Sequence, residues 1–331
     1  GGVGGGLGRG AACARSNGFA AVPSRLDVFG ADGEALAQPL GKPLYRANLA
    51  EYTRAFRQES YGRLVSERLD GTARQLLEAA IALKQPMLQL STFAPFTIDE
   101  LVLKCPPTLE CGRKPDAATV SKYLDTMCED PVVKMASALN GKYMLNLQEM
   151  GNAIKQMTLE SVIKFKFGEL SARLYRMLLR GHARGECVAH GMRKYEVKQL
   201  ADMAVLPDGE TRPLLMRLLQ AEYVLLQEVA RTNDHNPRST VYLWYVEPER
   251  AYRTLEAELL RTMHNLQARI KFERARQAEA VREVDPTGDG AVHEDPTSEG
   301  AQRLWLAQRR VDFLSHALLK VHETLMVVRT F

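Results

Sequence analysis

The sequence holds 331 residues, 45% hydrophobic, 25% charged and 7% aromatic, with 44 Lys and Arg against 40 Asp and Glu. Such a balance excludes a collagen, a fully disordered chain and a disulfide miniprotein, and the length predicts two or three folded units. The net charge of +4 is local: residues 151–246 carry fourteen basic and ten acidic side chains, and the other segments balance to zero.

No apolar run reaches the roughly 18 residues of a membrane span, so no membrane partner is expected. Five cysteines, odd in number and irregularly spaced, fit a reducing intracellular compartment. The chain opens on a glycine-rich run with Gly1 where an initiator Met would stand, which points to a piece of a longer protein. Without a preceding strand or a following helix this run is no phosphate cradle, and residues 1–42 read as a disordered or linker segment.

Folded sequence is expected from Pro43. Tyr45, Leu49, Tyr52 and Phe56 fall on one helical face, and a second run from Leu64 through Ile81 continues helically to Lys84, where Pro86 ends it. Thr97 and Glu100 form a capping-box pair that opens a short helix, closed by Pro106-Pro107. Asp116 opens another helix, with Val120, Tyr123, Leu124 and Met127 apolar. Asn140-Gly141, between Val132–Met135 and Tyr143–Leu147, is a tight hairpin turn. Helices followed by a hairpin make the winged-helix plan.

The order then repeats. A helix is expected from Thr158 to about Arg180, a second over Tyr195–Met203, and a third over Thr211–Gln220. Tyr223–Leu226 and Thr240–Val246 are strand-like and flank a turn-rich wing from Arg231 to Arg238. Beyond it, Leu255, Leu259, Met263, Leu266 and Ile270 form one apolar seam. Leu304, Val311, Leu314, Leu318, Val321, Leu325 and Val328 form a second, heptad-spaced seam after a Gly/Pro/Asp-rich break. The expected fold is mainly α with small β-hairpins: two tandem winged helices (43–150 and 151–246), then an antiparallel coiled-coil hairpin (247–331).

Chemistry-bearing motifs are few. His182, Cys187 and His190 lack a fourth zinc ligand at usual spacing, and Asp285–Gly290 resembles a calcium loop but has Pro296 where a bidentate Glu is required. No nucleophile elbow, phosphate loop or zinc-protease motif occurs, so no catalysis, cofactor or metal is expected. The remaining candidates are basic: Lys164, Lys166, Arg173, Arg193, Lys194 and Lys198, with Arg231, His235 and Arg238 in the wing. They suit non-specific phosphate contact, and equally an ordinary solvated surface. The third helices are not markedly basic, which suits protein-binding winged helices better than base readers.

Certain residues resemble a known family. Tyr45–Leu49 with Phe56-Arg57-Gln58 resembles the opening of the third winged helix in the RPC-three subunit of eukaryotic RNA polymerase III. Thr158–Val162, Phe167-Gly168, Ala172-Arg173, Met203-Ala204 with Pro207, Leu225–Val229, Thr232–His235 and Tyr242–Tyr245 resemble its fourth. The likeness is good over about residues 44–275, although residues 181–192 look longer than the family's turn.

The resemblance implies a non-catalytic nuclear subunit, related to transcription factor IIE alpha. In the family, four winged helices precede the coiled coil, and a heterotrimer with two smaller subunits docks on the clamp of the largest subunit. That heterotrimer supports promoter opening in transcription of small untranslated RNAs such as tRNA and 5S rRNA. Expected partners are those subunits and double- or single-stranded promoter DNA, bound non-specifically. The alternative is a stand-alone winged-helix regulator that dimerises through its C-terminal heptads.

Overall fold

A computed structural model describes residues 19–21, 45–83, 94–110, 112, 115–183, 194–230, 240–284 and 299–331. The fold is mainly helical with two-stranded antiparallel sheets, and it divides into two compact units, Gly1–Leu147 and Gln148–Phe331.

In the first unit, β1 (Phe19–Ala21) pairs antiparallel with β2 (Tyr45–Ala47). Asn48 then caps α1 (Leu49–Arg68), its side-chain oxygen accepting the Glu51 backbone N–H at 3.2 Å. Tyr45 therefore belongs to a strand, and the expected face starting there does not form. Leu49 and Tyr52 are exposed, and α1 buries Tyr61, Leu64 and Val65 instead.

The helical run expected from Leu64 to Lys84 is broken at Leu69-Asp70. Asp70 accepts the Ala73 backbone N–H at 2.7 Å, which starts α2 (Gly71–Leu83). Its second carboxylate oxygen takes the Tyr123 hydroxyl at 2.7 Å. Apolar spacing continued through the break, and a side-chain cap overrode it.

The capping box forms at α3 (Ile98–Lys104), where Thr97 and Glu100 exchange hydrogen bonds of 3.3 Å. Then come α4 (Ala117–Glu129), β3 (Ala136–Leu139) and β4 (Lys142–Leu145). Asn140 and Gly141, at φ 51° and 72°, make the two-residue turn between these strands. Val132 lies before β3 and is exposed, so the hairpin starts later than the sequence predicts. Phe96 adds a one-residue bridge to β4, exchanging both backbone hydrogen bonds with Tyr143 at 2.9 Å.

In the second unit, α5 (Leu147–Phe167) and α6 (Glu169–Ala183) replace the single helix expected over 158–180. Thr158 is no cap: its hydroxyl donates to the Ile154 carbonyl at 2.8 Å, one turn back inside α5. Gly168, at φ 89°, breaks the run with a left-handed backbone that other residues rarely adopt.

Next come α7 (Val197–Ala204), α8 (Asp208–Gln220), β5 (Leu225–Ala230) and β6 (Thr240–Tyr245). Strands β5 and β6 pair in register from Leu225↔Tyr245 to Ala230↔Thr240. Tyr195 bridges to β6 through Trp244, with backbone bonds of 3.0 and 2.8 Å. Each unit thus has two helices, a bridging aromatic, two further helices and a hairpin. In each, the bridging aromatic stands just before the third helix.

Two long helices finish the chain, α9 (Pro248–Val284) and α10 (Glu299–Thr330). Glu256 meets Arg329, Glu273 faces Arg310, and Gln277 meets Gln308, so the helices run antiparallel. The core of this unit joins Leu159, Ile163, Tyr175, Leu200, Leu215 and Trp244 to Leu255 of α9 and Val328 of α10.

Candidate nucleic-acid and subunit interface

The basic candidates stand on different elements. Lys164 and Lys166 occupy the last turn of α5, where cations suit the helix dipole. Arg173 is on α6, Lys194 precedes the Tyr195 bridge, and Lys198 is on α7. Arg193, Arg231, His235 and Arg238 lie outside the described residues, as do Cys187, His190 and the side chain of His182.

Three of the five described cations are engaged within the unit. Lys164 pairs with Glu169 at 2.5 Å, and this bond holds the Glu169 carboxyl below its usual range. Lys166 pairs with Glu258 on α9 and lies 5.9 Å from the centre of the Tyr223 ring. Glu258 also accepts the Tyr223 hydroxyl at 2.7 Å. Burial first, and Glu258 second, hold that phenol well above its usual range, so it stays a donor. This triad ties α9 to the winged helix. Lys194 donates to Gln227 and sits 4.9 Å above the Tyr245 ring, bracing the hairpin.

Arg173 and Lys198 are exposed and make no ion pair among the described residues. Third-helix surfaces add little: α8 exposes Arg212 and Arg217 with Asp208 and Glu210, and α4 exposes Lys122 with Asp125 and Glu129. The second unit therefore offers a sparse basic surface suited to phosphate contact, without an arginine-rich reading helix.

The seam residues lie in the α9–α10 pair. Leu255, Ile270, Val311, Leu325 and Val328 are buried. Leu259, Met263, Leu266, Leu304, Leu314, Leu318 and Val321 are half-buried. Sequence reasoning missed Glu273, which is 2% exposed, pairs with Arg269 at 2.5 Å and lies 3.9 Å from Arg310. The signal was available: Glu273 stands three residues after Ile270, on the continuing apolar frame. It also missed Gly151, on α5, where a Cβ would stand 2.8 Å from the Phe331 ring.

Among the described residues, no group of three His, Cys, Asp or Glu could hold a metal, and no helix is long and apolar enough to cross a membrane.

Comparison with known proteins gives the chain its relatives. Residues 159–246 match the family described as POLR3C, C-terminal winged-helix domain. The human protein named DNA-directed RNA polymerase III subunit RPC3 is 26% identical over 305 residues, covering 87% of this chain and 55% of that protein. Its zebrafish (Danio rerio) counterpart is 26% identical over 309 residues, covering 87% and 54%. The Dictyostelium discoideum subunit rpc3 is 28% identical over 197 residues, covering 56% and 28%. This chain spans about half the length of the animal relatives it matches. The chain is thus similar to a POLR3C-type winged helix at residues 159–246 and to RPC3 subunits of RNA polymerase III along most of its length.

Proposed function

We propose that the chain acts as a non-catalytic subunit of RNA polymerase III, corresponding to the C-terminal part of RPC3. It comprises two tandem winged helices, residues 43–150 and 151–246, and a coiled-coil hairpin over 247–331. In this reading it joins two smaller subunits in the initiation heterotrimer, docks on the clamp of the largest subunit in the nucleus, and supports promoter opening. The observation that carries the reading is the repeated bridge-and-hairpin order, Phe96 to Tyr143 and Tyr195 to Trp244, in a chain whose relatives are named RPC3.

DNA contact in this role is electrostatic and blind to sequence, made by Arg173 and Lys198 and by the wing from Arg231 to Arg238. Self-association through the heptads is disfavoured, because α9 and α10 satisfy each other's polar groups within one chain through Glu256–Arg329 and Gln277–Gln308. Affinity purification of the tagged chain is expected to recover the largest polymerase III subunits. Their absence, with the polymerase otherwise intact, would sink the reading.

A further inference from the structure

The α9–α10 pair carries an open groove of about 370 Å³, lined by Arg269, Glu273, Leu306, Arg309, Arg310, Phe313 and Leu314. Clefts of roughly 300–1,000 Å³ are the size that binds side chains or small ligands. Phe313 is 73% exposed and Leu306 47%, an unusual exposure for large apolar side chains that share one helix face. Three guanidiniums frame these apolar groups. The buried Glu273 carboxylate pairs with Arg269 and lies near Arg310, which leaves a net excess of two positive charges.

We infer that this groove receives an acidic amphipathic helix of a partner protein, whose apolar side chains enter between Leu306 and Phe313 while its carboxylates meet Arg309 and Arg310. A trough between two packed helices accepts a third helix lengthwise, by ridges into grooves. Charge complementarity chooses the sign of the flanks.

Single-stranded nucleic acid fits less well. A run of bases would need several open aromatic faces, yet Arg309 lies 4.7 Å from the Trp305 ring and Arg269 and Arg276 lie 5.1 and 5.8 Å from Phe272, which leaves Phe313 as the exposed ring lining the groove. The carboxylate of Glu273 on the groove floor also opposes phosphate. The inference deepens the docking role proposed above for the helical pair, but the chemistry of the groove can be tested apart from it.

Trp305 adjoins the groove and is 57% exposed, whereas Trp244, the other of the chain's two tryptophans, is 3% exposed. Emission changes on binding therefore report on the groove. The probe is a synthetic peptide with leucines at helical spacing flanked by glutamates, compared with a twin carrying lysines and with oligo(dT). The full chain is expected to bind the glutamate peptide with a blue shift of Trp305 emission. Arg309→Glu and Phe313→Ala, both at exposed positions, should each weaken it roughly tenfold. Arg309→Glu should also turn the preference towards the lysine twin.

Equal binding of the lysine twin or of oligo(dT), indifference to Arg309→Glu, or a shift in sedimentation showing that Phe313 joins two copies would each overturn the inference. Binding of the glutamate peptide by a chain that does not co-purify with polymerase would uphold the groove and remove only the polymerase reading.

Discussion

Val205, between α7 and α8, lies in the left-handed region at φ 53° and ψ 50° with its side chain 79% exposed. Its backbone closes α7 by a paired motif, in which Leu206 N–H bonds the Ala201 carbonyl at 2.9 Å and Val205 N–H the Asp202 carbonyl at 3.2 Å. Glycine is the usual residue at such a position, and a side chain there costs about 1–2 kcal/mol. Val205→Gly removes that strain. Against it stand ~0.7 kcal/mol for the extra freedom of glycine in the unfolded chain and ~0.3 kcal/mol for the small buried part of the valine. The net expectation is about 0.5 kcal/mol of added stability.

Val205→Ala keeps the steric conflict and is the control. Glycine should exceed alanine by about 0.5–1 kcal/mol, the reverse of their order inside a helix. Urea denaturation followed by emission of the buried Trp244 measures the difference, which should appear as a higher midpoint at an unchanged slope. Alanine equal to or more stable than glycine would refute the reasoning.

Gly168→Ala should act oppositely at the α5–α6 break, losing about 1 kcal/mol in the same denaturation assay, because φ there is 89°. At Asp130, burial pushes the carboxyl up, but the backbone N–H groups of Val133 and Val132 and the Arg68 guanidinium outweigh it and hold it below the usual range. A carboxyl depressed in the folded state stabilises above its unfolded pKa, and the contribution is lost as pH falls through the folded value. Acid denaturation of Asp130→Asn should therefore be less steep below about pH 4 than that of the parent chain. For DNA, the double substitution Arg173→Ala/Lys198→Ala should reduce the salt slope of binding to a random duplex by about two. Lys166→Ala should leave that slope unchanged and lower stability, because its charge is spent on Glu258.

Local signals were the legible ones. Thr97 with Glu100 and the pair Asn140-Gly141 each specify backbone geometry within a few positions, and both formed where expected. The β5–β6 pair was likewise readable, since Thr240–Val246 is a run of β-branched and aromatic residues. Helix breaks were harder. At Asp70-Gly71 and at Gly168 the apolar spacing carries on, and only the folded chain shows that a cap and a left-handed residue intervene.

The basic set was least legible, because counting charges cannot reveal a partner 92 positions away, as Glu258 is from Lys166. Glu273 was hidden by its type. A search for apolar heptads passes over a carboxylate that two arginines hold within the seam.

The cluster joining Leu159 and Trp244 to Leu255 and Val328 bears on how the protein is made. A winged helix confined to residues 159–246 could fold as soon as it left the ribosome. Here Ala251 and Leu255 of α9 and Val328 of α10 complete the interior, so part of the nascent domain's apolar surface stays uncovered until α10 has been synthesised. Contacts so distant in sequence also slow the final closure. A chain stopped before α10 would therefore release a domain with an open side, a substrate for chaperones and proteases, rather than a complete domain lacking an appendage.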